Sequence, residues 1–177
     1  EAVEFLKHLN SIMKKRNKGV LMIAEESTAW SKITGDLEDD GLGFDLKWNM
    51  GFMNDYLDYI KTDPYFRSGR HNELTFSMIY AYSEKFMLVF SHDEVVHGKA
   101  SLIGKMPGER ADQFANMRLT YAYHMTHPGK KLIFMGQDIG EYKEFNESRE
   151  VEWDLLQYEE HAKLNRLVAD MNKLYAS

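Results

Sequence analysis

The sequence predicts an α/β fold, half of a (β/α)8 (TIM) barrel made of about four parallel strands each followed by helix. Three observations predict it. Short strand-like runs recur at 20–24, 43–48, 86–90 and 132–135, with stretches of helical periodicity between most of them. Such alternation implies a parallel sheet with right-handed crossovers. Three of the runs end directly in carboxylates, at Glu25 and Glu26, at Asp93 and Glu94, and at Asp138; a barrel opens all its strand C-termini onto one face. A complete barrel takes roughly 250 residues, and this chain has 177. The expectation is therefore one partial catalytic barrel over residues 1–177, equivalent to strands five to eight, with the rest of the parent absent. An open doubly wound sheet is the alternative, but no G-x-G-x-x-G or G-x-x-x-x-G-K loop follows any run.

Residues 1–18 read as a helix, because Val3, Leu6, Leu9, Ile12 and Met13 recur at three- and four-residue steps. Lys14, Lys15, Arg16 and Lys18 suit the negative end of its dipole, and Gly19 supplies a stop. Val20 to Ala24 is apolar at every position, the pattern of a strand buried on both faces. Residues 31–43 are polar and Gly-bearing and read as a loop; 43–48 is a second strand. Met50, Met53, Leu57 and Ile60 place a helix over 49–60, broken by Thr62-Asp63-Pro64. A polar connection over 65–72 leads to a helix over 73–83. Phe86 to Phe90 is the third strand, 98–108 a loop, and 109–127 a long helix closed by Pro128-Gly129. The fourth strand covers 132–135, and after a polar stretch Leu164, Leu167, Val168, Met171 and Leu174 stripe a last helix over 158–175.

Composition narrows the function. Apolar content of 44% and charged content of 28% are those of a globular protein. A net charge of −6 repels polyanions, so no nucleic-acid partner is expected. There are no cysteines, which excludes disulfides and thiolate metal sites and points to a reduced, cytoplasmic compartment. No run approaches the ~20 apolar residues of a membrane span, and no leader-like segment opens the chain, so no membrane partner is expected. The chain begins with Glu1, directly in helical pattern, and reads as a piece of something longer.

Carboxylates converging from different strand ends suit glycosyl transfer. One acid protonates the leaving oxygen, and anions stabilise an oxocarbenium-like transition state. The plainer alternative is that acids after strands cap helices or face solvent. His92-Asp93-Glu94-Val95-Val96-His97 also raises a mixed His/carboxylate metal site through His92, Asp93 and His97, although the spacing departs from H-E-x-x-H. Trp30 is a candidate sugar platform, while Trp48 and Trp153 read as rim packing.

Ala24-Glu25-Glu26-Ser27-Thr28 and Ser91-His92-Asp93-Glu94-Val95-Val96-His97-Gly98-Lys99 resemble the third and fourth conserved regions of bacterial glycogen branching enzymes, in the α-amylase superfamily. Gly41-Leu42-Gly43-Phe44, Lys47-Trp48-Asn49-Met50-Gly51, Phe134-Met135-Gly136 and the opening Glu1-Ala2-Val3-Glu4-Phe5-Leu6 are similar to the same family, so the resemblance covers essentially the whole chain. It implies glycogen biosynthesis by transfer of an α-1,4-glucan segment to a 6-hydroxyl, with retention. It implies Glu25 as the catalytic general acid/base, Asp93 as the carboxylate that stabilises the transition state, and His92 as a hydrogen bonder of the sugar; Glu94 and Trp30 complete the expected substrate contacts. No metal or other cofactor is expected, and the partner is α-glucan, as glycogen or maltooligosaccharide. Two departures matter. Gln137-Asp138 stands where members often carry a polar residue followed by Glu. The nucleophilic Asp of the family lies on a strand before the opening helix, and no such strand precedes Glu1.

The expectation is accordingly that the isolated chain is inactive, and that its exposed edges promote a homodimer of the half barrel. Two other functions remain open on the residues alone: a non-catalytic glucan-binding or scaffold module of the same fold, and a metal-dependent hydrolase.

Overall fold

A computed structural model describes residues 1–177. Strands β1 (Ile23–Ala24), β2 (Leu46–Trp48), β3 (Phe86–Phe90) and β4 (Lys130–Ile133) form one sheet in the order β1-β2-β3-β4. All neighbours are parallel, with Ala24 opposite Lys47, Lys47 opposite Phe86, and Met87 to Phe90 opposite Lys130 to Ile133. Strand order follows chain order without the reversal that marks a doubly wound sheet. The helices are α1 (Ala2–Arg16), α2 (Met50–Lys61), α3 (Asn72–Thr75), α4 (Ser77–Tyr80), α5 (Arg110–Thr126) and α6 (Glu159–Ala176). None is long and apolar enough to cross a membrane.

The core forms where β3 meets α2, α5 and α6. Asn49 starts α2 by accepting a hydrogen bond from the Phe52 N–H at 2.9 Å. Phe52, Met53, Tyr56, Leu57 and Ile60 then fall on one buried stripe. Arg67 closes the other end, donating to the Ile60 and Thr62 carbonyls at 2.9 Å each and to Asn116 Oδ1 at 2.7 Å. A reciprocal capping box between Glu109 and Asp112 opens α5. Phe114, Met117 and Tyr121 of α5 and Leu164 and Val168 of α6 join Leu88, Val89 and Phe90 in one apolar cluster. Within it Tyr56 stacks on Phe52 and on Tyr123, with ring centroids 5.9 and 5.2 Å apart.

Five expectations need correction. The connection from β1 to β2 carries no α-helix, so not every strand is followed by one. Ile33 and Leu42 of that connection pack on Ala24 instead, and the Glu84 carboxylate accepts the Ile33 and Thr34 N–H groups at 2.9 and 2.8 Å. The run Val20 to Ala24 is not buried on both faces: only its last two residues pair, and Val20 and Leu21 are 50% and 60% exposed. β1 is an edge strand, so nothing lies beyond it to cover that run. The segment 64–70 is a 3-10 helix organised by Arg67 rather than a plain connection. The helix expected over 73–83 is two single turns, α3 and α4, which leave Phe76, Met78 and Ile79 exposed. β4 also starts two residues early, because Lys130 and Lys131 pair with Met87 and Leu88.

One face of the sheet is only partly covered. Register and alternation place Ile23, Leu46, Trp48, Met87, Val89 and Leu132 together, and all of them but the fully buried Val89 are half-buried or exposed.

Candidate active site

Parallel strands in chain order bring the turns after β1, β3 and β4 to one edge of the sheet. β1 and β3 are separated by β2, so the Glu25 and His92–Asp93 segments stand about two strand spacings, ~10 Å, apart across it.

After β1 the two adjacent glutamates differ completely. Glu25 is exposed and makes no hydrogen bond or ion pair. Glu26 is turned the other way and pairs with Lys47 at 2.7 Å, the two side chains being 23% and 8% exposed. The Thr28 N–H also donates to Glu26 at 2.7 Å, and Lys47 donates to the Thr28 carbonyl at 3.2 Å. Burial pushes the Glu26 carboxyl up, but the hydrogen bonds from Lys47 and Thr28 and the lysine charge outweigh it, so it lies below its ordinary value. Glu26 is thus a fixed anion, and Glu25 is the glutamate left without a partner.

After β3 the chain enters a single 3-10 turn, Asp93–Val95. Glu94 is buried, and its carboxylate accepts from the Ser91 N–H at 2.5 Å and the Ser91 hydroxyl at 2.7 Å. The Asp93 N–H in turn donates to Ser91 Oγ at 3.2 Å. This knot turns His92 and Asp93 outward, about half exposed, with His92 Nε2 3.2 Å from Asp93 Oδ1. The His92 ring rests against Phe134 and Phe145, at centroid distances of 6.0 and 6.4 Å. Lys99 donates to the Asp93 carbonyl at 2.6 Å. The loop between them is strained, with left-handed His97, Gly98 and Ala100 at φ 46°, 81° and 60°. Glu144 holds it by accepting the Gly98 and Ala100 N–H groups at 2.9 and 2.7 Å, and these bonds keep its carboxyl below the ordinary range.

Two expected participants lie elsewhere. Trp30, 54% exposed, lines a groove of about 710 Å³ with Trp48, Phe76 and Tyr80, and none of His92, Asp93 or Glu94 borders it. Asp138 accepts from Asn165 Nδ2 at 2.8 Å and so ties the β4 turn to α6. His92, Asp93 and His97 are not gathered into a three-ligand metal set. Sequence reasoning noted Lys47 only within a family-like stretch and gave it no role, and passed over Glu144, in a stretch read only as polar. A lysine inside a strand candidate was a further signal for the first; the second had none.

No protein-family model matches the chain. Among curated proteins it is 53% identical over 175 residues to the 1,4-alpha-glucan branching enzyme GlgB of Pseudomonas fluorescens, 57% over 175 residues to GlgB 2 of Rhizobium etli, and 55% over 175 residues to GlgB of Protochlamydia amoebophila. Each alignment covers 99% of this chain and 24% of the relative, so the chain spans about a quarter of the length of the curated relatives it matches.

Proposed function

We propose that this chain, whose sequence belongs to the 1,4-alpha-glucan branching enzyme family, forms the second half of a catalytic (β/α)8 barrel that makes α-1,6 branches in an α-glucan. The observation that carries this is the edge of the sheet: strands in unreversed parallel order present an unpartnered Glu25 beside a built turn that aims His92 and Asp93 outward. The half-exposed sheet face supports the barrel, since in one it would be filled by the opposing strands.

In this mechanism Glu25 gives its proton to the glycosidic oxygen as the C1–O bond breaks. A nucleophilic carboxylate outside these residues takes C1 and holds the glucan segment covalently. Asp93 balances the positive charge that develops at C1 and the ring oxygen, and His92 hydrogen-bonds a hydroxyl of the same sugar. Glu25, now a carboxylate, takes the proton of an acceptor 6-hydroxyl as its oxygen attacks C1. Two inversions give retention. Glu94 acts through the turn it ties, and Trp30 offers an aromatic face to the glucan from its own groove. The enzyme works in the cytoplasm without a cofactor. These 177 residues alone bind glucan without turnover, and their partly covered sheet face favours pairing with a second copy.

A longer enzyme carrying these residues, assayed by the fall in iodine–amylose absorbance, is expected to lose about 10²- to 10⁴-fold in rate with Glu25→Gln. Branching at the parental rate by that variant refutes the assignment.

A further inference from the structure

We infer that the cavity on the far side of Phe145 from His92 is a binding pocket for one neutral glucosyl unit, with Gln137 as its hydrogen-bonding residue and Trp153 as its apolar wall. The ligand class rests on the branching function proposed above; the site itself rests on the following geometry.

The cavity has a volume of about 250 Å³. That is many times the ~30 Å³ share of one water and just below the range for drug-sized ligands, the scale of a single ring. Gln137 lines it, is 5% exposed, and has both Oε1 and Nε2 buried without a hydrogen-bond partner. Native interiors seldom leave a whole amide unsatisfied. Its placement is not slack: it follows Gly136 in a left-handed turn at φ 82°, and the Tyr121 hydroxyl donates to its carbonyl at 2.7 Å. A free amide offers one acceptor and two donors. A sugar hydroxyl, donor and acceptor at once, answers both sides.

The other walls agree with a sugar. Burial, then the Glu152 charge, pushes the Glu141 carboxyl up against the opposing hydrogen bond from the Glu152 backbone. A Cβ at Gly136 would stand 2.2 Å from Glu141 Oε2, so the carboxylate occupies room that only glycine leaves. Trp153 is 55% exposed and offers a face to the C–H side of a pyranose. Three glutamates, Glu141, Glu144 and Glu150, line the cavity against two cations, Lys143 and Arg149. Lys143 pairs with Glu152, and Arg149 donates to the Glu144 carbonyl at 3.0 Å and its charge acts on Glu141. That acidic balance favours a neutral ligand over a phosphate. The pocket is coupled to the candidate site, because the Phe145 N–H donates to the Val95 carbonyl at 2.8 Å while its ring contacts His92.

The test is a titration of the ¹⁵N-labelled 177-residue chain with maltotriose, followed by NMR. The Gln137 side-chain amide and the Trp153 indole N–H are expected to shift together and saturate with one Kd, and Gln137→Leu to weaken that Kd about tenfold or more. Trp153→Ala, a change at an exposed rim position, is expected to weaken it as well, and keeps the test decisive should Gln137→Leu misfold. Shifts elsewhere with both resonances fixed overturn the pocket and leave the branching function standing. No shift anywhere in a well-dispersed spectrum overturns the glucan reading and the pocket with it.

Discussion

The Lys47–Glu26 pair engages one of two adjacent glutamates and leaves the other without a partner, and its strength can be worked out before it is measured. An exposed ion pair contributes about 0–1 kcal/mol, while removing one partner of a buried pair costs about 3–5 kcal/mol. Lys47 has the burial of a core residue, and Glu26 keeps partial access to water. Glu26→Gln therefore strands a buried ammonium and is expected to cost about 2–3 kcal/mol. Lys47→Met strands a carboxylate that water can reach, and is expected to cost about 1–2 kcal/mol. With a urea slope of about 2 kcal/mol/M, the midpoints fall by about 1–1.5 M and about 0.5–1 M. The double variant, with no charge left to strand, is expected to recover more than half of the combined loss. Acid supplies an independent check. The folded Glu26 lies below its ordinary value of 4.5, so its contribution is fully present above that value and disappears as pH falls through the lowered one. Lys47→Met is expected to remove that part of the acid limb. Unchanged midpoints in both single variants, or a double variant as weak as the sum of the singles, would falsify the pairing.

His124 is fully buried and pushed down to about 4 by loss of solvation, and His127 is pushed down the same way. The folded groups stay neutral while the unfolded ones take up protons below ~6.5, so stability is full above that pH and declines toward pH 4, by up to ~3 kcal/mol for His124. Urea midpoints across that window should show the slope, and His124→Gln should flatten it; a flat parental profile refutes the assignment. Glu144→Gln weakens the two charge-assisted bonds that hold the left-handed loop 97–100. Amide exchange at Gly98 and Ala100 should then speed up while β3 is unaffected; equal protection in both proteins shows that the loop is held by something else.

The parts of this fold that were legible in the sequence are those whose burial is local. Phe86 to Phe90, the α2 stripe and the α6 stripe as far as Met171 are packed as their periodicity requires, because each finds its neighbours within the chain; Leu174, at the end of the α6 stripe, is 70% exposed. Val20 to Ala24 shows the limit. An apolar run records that a strand was selected for burial, and Val20 and Leu21 are exposed because β1 has no neighbour on its outer side. The same limit applies to chemistry. Glu25 and Glu26 have the same functional group and adjacent positions, so spacing alone supports either as the acid. What separates them is a lysine on the next strand, twenty-one positions on from Glu26, that takes one carboxylate and leaves the other. His92 and Asp93 were readable as a pair because they are adjacent, yet the reason they face outward is the Ser91–Glu94 knot, in which the second acid of the motif ties the turn. A family motif therefore marks where chemistry is placed. Which carboxylate is a fixed anion and which folds a turn is settled by their hydrogen-bonding partners: Lys47, on the next strand, for Glu26, and Ser91, within the motif itself, for Glu94.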